Sequence, residues 1–526
     1  MKELQVMTLT KRIYTILLVG LLIISSLIGA ILAYNGVSVS YYATLEDNSP
    51  MMLLKDSTVV HLFFAVLLGS LVCIFDGLFE KKLSKKTQER IAGIVLVCSM
   101  FVVAIVGTIY VQANPYYPQG DQLNTTAGAF YCKSGDYSML QKGGYIGLYE
   151  QQKGFMFLYE ILFTLFGDFC YKVAAQFHVL FAVLTVWAGY GFVKTQFQKP
   201  VARILYCLLM TICLPYFLLL PYIYGDIPSI CFCMILFWAL SKYAQQYRKR
   251  YVVLAAVMAA LALMCRMNTW IVLIAVGIGL VLATIYKRNY RPLVAAICVI
   301  LAAFLTIKAI DFMYEKRSGY ESGVGIPSIL WVAMGLQETN GSAGVYNRYQ
   351  QGVFEECDFD REVSAQIGKD YITVRISEFA DNPDMAKEFF YKKMSSQWTE
   401  PLFNSLSAIK TFKEGEPVSD GIQNLYYGSL RDTLWKSANY YQSFVYVAFL
   451  LFVVGSFITF RKERGNNAKW IPLIAIVGGF LFSLIWENQC RYCLPYYVFM
   501  LLYVPEGVLQ WKDLLTGILG KKKQAV

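Results

Sequence analysis

Long apolar runs recur along this chain of 526 residues, and they constrain its fold more than any other feature. Several runs reach roughly the 18 residues that a helix needs to cross the hydrocarbon core of a bilayer. Hydrophobic residues make up 57% of the chain, more than a soluble protein of this size carries. A membrane-spanning β-barrel would instead show short alternating strands. The runs therefore predict an all-α polytopic membrane protein.

The distribution of Lys and Arg predicts the orientation of these helices. Basic residues cluster in short loops between apolar runs, most densely at Glu80–Arg90, as the positive-inside rule describes for cytoplasmic loops. The formal net charge of +11 is explained in this way and does not indicate a nucleic-acid partner. About 12 transmembrane helices with both termini cytoplasmic are expected. The expected spans are Ile13–Tyr34, Thr58–Phe79, Ile91–Val111, Tyr171–Val193, Val201–Tyr222, Ile227–Leu240, Tyr251–Cys265, Thr269–Tyr286, Pro292–Ile310, Tyr440–Phe460, Trp470–Trp486 and Tyr492–Leu509.

The spans divide the chain into four regions. They are residues 1–90 with two N-terminal transmembrane helices, 91–310 with a transmembrane core and an external loop at 112–170, 311–436 as an external segment, and 437–526 with three C-terminal transmembrane helices and a basic tail. Within the external segment, Glu362–Phe379 has helical spacing. Asn382 followed by Pro383 predicts the capped start of another helix.

One short apolar run, Gly154–Phe166, is expected not to cross the membrane. It has roughly 13 residues where about 20 are needed. If it crossed, the basic residues Lys194, Lys199 and Arg203 and every later basic loop would become external. We therefore expect a juxtamembrane helix at the external surface.

The polar stretch Val111–Gly167 contains the strongest candidate for catalysis. It is rich in Tyr and Gly, and Asp121 follows a Pro-Gln-Gly turn just outside a predicted span. A carboxylate at this position can take a proton from an attacking hydroxyl group. The alternative interpretation is a solvated loop aspartate.

Three further polar groups interrupt the apolar runs. Asp226 lies in a Tyr-Gly-Asp-Ile-Pro element, where it is a candidate ligand or the N-cap of the next helix. Arg266 and Asn268 follow a short span, where the arginine either extends to lipid headgroups or binds a substrate phosphate. Glu487 and Arg491 form a third group at a depth where ionisable residues indicate function.

The predicted topology places Asp121, Asp226, Arg266 and the Glu487–Arg491 group on one side of the membrane, which predicts one shared external site. The site combines acids suited to base catalysis with arginines suited to a phosphate. The only two histidines of the chain lie inside apolar runs, and no phosphate-binding loop for ATP is present. Cysteine adds little: Cys490 and Cys493 are read as a coincidental pair, and pairing of Cys132 with Cys357 is left open.

The order of these motifs resembles the GT-C superfamily of integral-membrane glycosyltransferases, which includes the protein O-mannosyltransferases and the bacterial aminoarabinose transferases. The resemblance covers about Ile91 to Leu509. It is carried by Asp121, Gln152-Lys153-Gly154, Leu165-Phe166-Gly167, the Tyr224–Pro228 element, Arg266-x-Asn268 and Arg491-Tyr492-x-Leu494-Pro495. The first two spans precede the usual start of the family core, and segment 311–436 is unlike a typical mannosyltransferase insertion.

The resemblance implies transfer of one sugar from a polyprenyl-phosphate carrier, with inversion, to an acceptor outside the cytoplasm. Asp121 matches the catalytic base of the family, and Arg266 and Arg491 are candidates for the lipid phosphate. The remaining expected substrate-binding residues are Gln152, Tyr224, Asp226, Asn268 and Glu487. A cell-wall glycopolymer is the expected acceptor in a bacterial cell membrane. No cofactor and no metal ligand is expected, although a divalent cation is compatible with the family.

Three alternatives stay open at this point. A flippase or transporter for lipid-linked sugars would share the many spans, but such proteins often carry internal repeats and mid-membrane sites, whereas no repeat is found here. A polysaccharide polymerase would differ in adding a chain of sugars in place of one. A membrane scaffold would leave the external acids and arginines without a role.

Overall fold

The computed structural model describes residues 2–43, 52–409, 417–460 and 467–524. The basic residues 461–466, predicted to be a cytoplasmic loop, and the last two residues of the predicted basic tail lie outside the described residues. Among the described residues helices predominate, as the apolar runs predicted.

The N-terminal third contains seven helices and one small hairpin. The helices are α1 (Lys2–Ser38), α2 (Thr58–Lys82), α3 (Lys85–Ala113), α4 (Asp121–Lys133), α5 (Tyr145–Leu148), α6 (Lys153–Phe166) and α7 (Cys170–Gln196). Strands β1 (Val39–Tyr42) and β2 (Met52–Lys55) pair antiparallel, with Val39 opposite Lys55. The predicted external loop 112–170 is thus largely helical, and Asp121 is the first residue of α4 rather than a loop residue.

The middle of the chain forms six helices that belong to the transmembrane core. They are α8 (Pro200–Thr211), α9 (Leu214–Leu218), α10 (Asp226–Gln246), α11 (Lys249–Cys265), α12 (Thr269–Lys287) and α13 (Arg291–Ser318). Proline stands in the first turn of α8, α9 and α13, where its missing N–H group costs no hydrogen bond.

The last part of the chain contains nine helices and a second small hairpin. The helices are α14 (Ser328–Gly335), α15 (Tyr349–Glu356), α16 (Arg361–Asp381), α17 (Pro383–Trp398), α18 (Asp420–Tyr427), α19 (Ser429–Thr459), α20 (Trp470–Ile485), α21 (Leu494–Met500) and α22 (Val504–Gln524). Strands β3 (Glu338–Thr339) and β4 (Ser342–Ala343) pair antiparallel. The predicted cap of α17 is confirmed, because the Asn382 side chain accepts a hydrogen bond from the Met385 N–H at 3.1 Å.

Helix α10 lies at the centre of the bundle. It packs against α7 and α11, and its side chains Ile227, Ile230 and Leu236 are fully buried. The outer helices α2, α3 and α13 expose large apolar side chains, among them Phe63, Phe101 and many others, as expected of surfaces that face lipid. The packing of α10 in the core therefore fixes the positions of the residues at its two ends.

Eight helical segments among the described residues are long and apolar enough to cross a membrane, or nine if one bent pair is counted as a span. The expected number of about 12 is higher because several apolar segments form short or broken helices. Val201–Tyr222 is divided into α8 and α9, since Pro215 interrupts helical hydrogen bonding. Helices α11 and α20 have only 17 and 16 residues. Helices α21 and α22 meet at an angle of 45°.

Helix α6 does not continue straight into α7. Twelve residues of straight helix would rise about 18 Å, but the rings of Tyr159 and Tyr171 lie 6.5 Å apart. The rings of Phe163 and Tyr171 are equally close, at 5.7 Å. Gly167 joins the two helices at a positive φ of 53°, which glycine adopts without steric cost. The short apolar run is thus a separate helix folded back on its neighbour.

A cluster of five charged residues lies at the far end of α10 from Asp226. It consists of Asp76, Glu80, Lys199, Lys512 and Asp513, and it is called the Asp76 cluster below. Asp76 is fully buried and accepts from the Lys199 ammonium at 3.2 Å and from the Lys512 ammonium at 2.5 Å. It joins α2, α8 and α22. Because Gln245 near the end of α10 donates to the Thr195 carbonyl at 2.9 Å, this cluster and Asp226 are separated by about the 31 Å length of α10.

Candidate active site

Asp226, Arg266 and Arg491 form one ionic cluster, called the Asp226 cluster below. The Asp226 Oδ1 atom lies 3.3 Å from a terminal nitrogen of Arg266, and Oδ2 accepts from Arg491 at 2.7 Å. Only 2% of the Asp226 side chain is exposed, against 16% for Arg266 and 8% for Arg491. One interpretation of the sequence made Asp226 the N-cap of α10, and this is wrong. Gly225 is the N-cap, and no side chain caps this helix.

Two glycines determine how closely Arg266 approaches Asp226. A Cβ atom on Gly154 would lie 2.7 Å from the Met264 carbonyl oxygen, and one on Gly225 would overlap the Cys265 carbonyl oxygen. The last turn of α11 therefore packs directly against both glycines. This close approach sets Arg266 beside the first turn of α10.

Tyrosine rings enclose the two guanidinium groups. The Arg266 guanidinium carbon lies 5.0 Å from the centre of the Tyr224 ring and 5.2 Å from that of Tyr492. The Arg491 guanidinium carbon lies 4.8 Å from the centre of the Tyr222 ring. Cation–π contacts of this kind hold a guanidinium in place while its edge stays free to bind an anion.

Gln152 is held against the same tyrosines. Its side-chain amide donates a hydrogen bond to the Tyr224 hydroxyl. The neighbouring Lys153 is buried and donates to Glu150 at 2.9 Å and to Ser322 at 2.7 Å, which fixes the chain at this point. Gln152 therefore belongs to the site by contact with Tyr224, as the motif order predicted.

Asp121 is exposed at the start of α4 and faces the cluster. Its Oδ1 atom accepts a hydrogen bond from the Tyr145 hydroxyl at 2.8 Å. Burial raises the pKa of Tyr145 well above its usual value, and the Asp121 charge raises it further, so Tyr145 stays a donor. Burial raises the pKa of Tyr224 as well, and the Asp121 charge adds to that effect.

Glu487 completes the acidic part of the site. Its pKa is raised from 4.5 to about 7, chiefly by burial and also by the Asp121 charge, against the opposing effect of Arg491 and Arg266. Its loop is fixed by Asn488, whose backbone N–H donates to the Gly344 carbonyl at 2.6 Å. Glu487 therefore changes its charge near neutral pH beside the two arginines.

Asn268 lines a cleft that leads away from the Asp226 cluster between α10, α12 and α21. Its charged lining residues are Asp226 and Arg266, which lie beside Asn268. The other lining residues are Ser229, Ile230, Cys233, Thr269, Val272, Tyr492, Pro495, Tyr496 and Phe499. The cleft thus has a charged end and a mainly apolar body.

Seven of the eight predicted site residues form one group: Asp226, Arg266, Arg491, Tyr224 and Gln152 are joined by contacts, Asn268 lines the adjoining cleft, and Glu487 hydrogen-bonds to Tyr492. The described side-chain contact of Asp121 is with Tyr145. Sequence reasoning missed Tyr145, Tyr222 and Tyr492 as contacting residues. Tyr492 directly follows Arg491, and that adjacency was the one available signal. Tyr145 lies 24 positions from its partner Asp121, a spacing that no helix or strand period indicates.

Cysteines and metal ligands add no second centre to the described part of the chain. All 13 cysteines are free thiols, so Cys132 and Cys357 are not paired. Cys490 and Cys493 are both buried. No group of three or more His, Cys, Asp or Glu residues suited to a metal ion is found among the residues that the structure describes.

Residues 154–309 match the family model of the dolichyl-phosphate-mannose-protein mannosyltransferases. This match confirms the resemblance to the GT-C glycosyltransferases. Residues 154–309 are therefore similar to a GT-C family of glycosyltransferases. The matched residues contain Gly154, Asp226 and Arg266 of the site, while Asp121 and Arg491 lie outside them.

Two other comparisons accompany this match. The archaeal oligosaccharyltransferase AglB from Archaeoglobus fulgidus, solved in complex with an inhibitory peptide and a dolichol-phosphate, has 12% identity and a TM-score of 0.31. The alignment covers 84% of this chain and 52% of AglB, so the chain spans about half the length of that protein. No curated protein matches the sequence.

Proposed function

We propose that this enzyme moves a single sugar, with inversion, from a polyprenyl-phosphate carrier to an acceptor outside the cytoplasm. The observation that carries the proposal is the Asp226 cluster, whose Asp226 and Arg266 line one cleft together with apolar residues. Arginines suited to a phosphate and apolar side chains suited to a lipid tail then occur at one site, and Asp121 is assigned as the base. The matched mannosyltransferases, by their name, use a dolichyl-phosphate donor of this type.

The charge of the Asp226 cluster suits a phosphodiester. Two guanidinium groups around one carboxylate leave one positive charge, and the diester that joins a polyprenol to a sugar carries one negative charge. Arginine matches phosphate oxygens with paired N–H donors, and Arg266 keeps 16% of its side chain exposed. We assign the donor phosphate to Arg266 and Arg491, with Asp226 holding both guanidinium groups in place.

The apolar body of the cleft suits the polyprenyl chain. Ile230, Val272 and Phe499 line it between helices α10, α12 and α21. An isoprenoid lying there would be surrounded by apolar side chains and lipid, while its phosphate stays at the arginines. Asn268, Tyr224, Gln152 and Glu487 stand around that head group and are assigned to substrate binding.

Asp121 is assigned the role of general base. The acceptor hydroxyl oxygen forms a bond to the anomeric carbon while the bond from that carbon to the phosphate oxygen breaks. The hydroxyl proton passes to Asp121, and the polyprenyl phosphate departs with the bonding electrons, stabilised by the two arginines. The direct displacement requires no organic cofactor, and a chelator titration would test whether a divalent cation contributes.

In this proposal the site faces the outside of a cell membrane and both termini lie in the cytoplasm. The basis is the distribution of basic residues between the apolar runs. Helix α6 then lies at the external surface, and a glycan such as a cell-wall glycopolymer is the acceptor. Membrane lipids surround the outer helices, and no nucleic-acid partner is expected.

The test is turnover of a radiolabelled polyprenyl-phosphate hexose by purified protein in nanodiscs. Asp121→Asn should lower transfer at least a hundredfold. Asp136→Asn is the matched control, because Asp136 lies in the same polar region but only accepts from the Ser138 N–H at 2.8 Å. Equal turnover by wild type and Asp121→Asn would remove Asp121 from the mechanism. Absence of turnover by wild type, with donor bound, would favour a lipid-linked sugar flippase.

A further inference from the structure

A row of aromatic rings begins at Tyr145, the residue that binds Asp121. The Tyr145 ring, whose hydroxyl binds Asp121, lies 4.9 Å from the Tyr149 ring. The Tyr149 ring contacts Trp331 of α14 at 6.0 Å, and Trp331 stacks on Trp486 at 5.9 Å with an interplanar angle of 11°. Three segments distant in sequence, namely α5 with its C-cap, α14 and the end of α20, thus contribute rings to one row.

The other end of the row, Trp486, lies next to a second carboxyl group. Trp486 is the chain neighbour of Glu487, and the Asp121 charge acts on Glu487. The sequence of contacts from Asp121 through Tyr145, Tyr149, Trp331 and Trp486 therefore returns to a carboxyl group near Asp121. The rings of Tyr145, Trp331 and Trp486 are partly exposed, so the structure leaves part of each ring in contact with solvent.

The external segment holds these rings in place. The Tyr149 hydroxyl donates to Gln351 of α15 at 3.1 Å. The Asn488 side-chain amide, two residues after Trp486, donates to the Ala343 carbonyl at 2.8 Å and to the Ser396 hydroxyl at 2.7 Å. Rings fixed in advance lose little conformational entropy when a ligand binds.

We propose that Tyr145, Tyr149, Trp331 and Trp486 form the acceptor subsite and that it takes a pyranose-containing glycan. This inference rests on the proposed function, because it assigns the second substrate of the same site. The C–H face of a pyranose packs against an aromatic face, and its hydroxyl groups hydrogen-bond to carboxyl groups at the edge. Asp121 and Glu487 stand at the two ends of the row, where a sugar hydroxyl would meet the base.

A peptide acceptor fits this surface less well. An extended peptide is commonly bound by adding a strand to a sheet edge. In the described part of the external segment the strands β3 and β4 have two residues each, which is too short for such pairing. The surface therefore offers ring faces and carboxyl groups, the two features that a sugar uses.

The experiment measures acceptor binding and transfer separately. Saturable quenching of tryptophan fluorescence is recorded without donor, with maltotriose, cellotriose, chitotriose and a Ser/Thr-containing hexapeptide as probes. Transfer is then measured with a polyprenyl-phosphate hexose donor. The variants are Trp331→Leu, Trp331→Phe and the control Trp187→Leu, whose ring contacts Trp238 at 4.6 Å, twelve residues along α10 from Asp226.

We expect at least one trisaccharide to quench and to accept sugar. Trp331→Leu should raise the KM for the trisaccharide, divided by the KM for the donor, at least fivefold. Trp331→Phe should bring this ratio most of the way back to the wild-type value, and Trp187→Leu should have the wild-type ratio. The inference is overturned if no trisaccharide quenches, if only the peptide accepts, or if Trp331→Leu leaves the ratio unchanged. Failure of the proposed function is distinguishable, because wild type would then quench with sugar but neither bind nor consume the donor lipid.

Discussion

Two buried aspartates with two cations each lie at opposite ends of α10, and they differ in what they leave available. In the Asp226 cluster, two arginines and one carboxylate leave one net positive charge beside a cleft. In the Asp76 cluster, two lysines meet three carboxylates, so no positive charge is left over. An aspartate buried between two cations is therefore not enough to indicate a ligand-binding site. A net positive charge beside an open cleft, as at Asp226, is the better indication.

The type of cation differs in the same sense. Guanidinium groups lie flat on tyrosine rings in the Asp226 cluster, whereas the Lys199 and Lys512 ammonium groups reach Asp76 on flexible stems. Arginine presents paired donors in a fixed plane, and lysine presents a point charge. The first arrangement is suited to recognising a phosphate, and the second to joining helices.

The largest expected effect comes from removing one cation at each end. Arg491→Met leaves Asp226 balanced by Arg266 alone, so we expect donor turnover to fall at least a hundredfold, about 3 kcal/mol in transition-state stabilisation. Lys512→Met is the matched control and should keep turnover per folded molecule within about threefold. The assay is hexose transfer from the donor lipid in nanodiscs. Comparable losses in both variants would remove the functional difference between the clusters.

Replacing Asp226 or Asp76 by asparagine should lower the free energy of unfolding by different amounts. Asp226→Asn leaves two guanidinium groups that are 16% and 8% exposed without their counter-ion, and the expected loss is about 3–5 kcal/mol. Asp76→Asn leaves lysines that are 24% and 18% exposed and still near Glu80 and Asp513, so a loss of about 1–2 kcal/mol is expected. Thermal unfolding in one detergent compares them. A larger drop for Asp76→Asn would contradict this order.

Exchange of the cation type should have a smaller effect. Arg266→Lys keeps the charge but loses the planar contact with Tyr224, and we expect the KM for the donor lipid to rise about tenfold. Lys199→Arg at the Asp76 cluster should leave that KM unchanged. If both exchanges are silent, guanidinium geometry does not contribute to donor binding.

The smallest expected effect is a pH dependence from Glu487. Its pKa of about 7 means that a negative charge appears beside the arginines as the pH rises, so the KM for the donor should increase about threefold from pH 6 to pH 8. Glu487→Gln should abolish this increase. The folded state holds the Glu487 proton more tightly than the unfolded chain, so the stability from this group is complete below pH 4.5 and is lost as the pH rises through about 7. Comparison of both proteins by KM and thermal unfolding at each pH isolates the group.

Much of the molecule could be predicted from sequence because its controlling signals are local or additive. Apolar runs and basic loops indicated the all-α polytopic fold, and Asn382-Pro383 indicated a helix start that the structure contains. The parity of the spans predicts Asp121, Asp226, Arg266 and Glu487 on one side of the membrane. In the structure Asp226 pairs with Arg266 and Arg491, while Asp121 binds Tyr145. Span number was overestimated, since hydropathy does not register that Pro215 breaks a helix or that Trp470–Ile485 has only 16 residues.

The contacts that build the site could not be predicted, because they depend on packing between distant segments. The Asp226–Arg491 pair joins residues 265 positions apart, and the Tyr149–Gln351 bond joins residues 202 positions apart. The sequence interpretation of Asp226 as an N-cap was reasonable from local chemistry, but tertiary contacts with two arginines prevailed. The folded-back α6 was expected from charge parity, whereas its packing on Tyr171 required coordinates.

The closeness of Gly154 and Gly225 to the chain before Arg266 gives the enzyme a volume-sensitive point of control. A single added methyl group at either position would displace the end of α11, which leads directly to Arg266, although no charged atom would have been altered. If Arg266 binds the donor phosphate as proposed, turnover should depend on the size of the side chain at these two positions. Gly154→Ala is the milder of the two substitutions, because its Cβ atom would lie 2.7 Å from the Met264 carbonyl oxygen, whereas a Cβ atom on Gly225 would overlap the Cys265 carbonyl oxygen. Variants with slowed turnover and an unaltered ionic pattern would serve to trap the enzyme with both substrates in place.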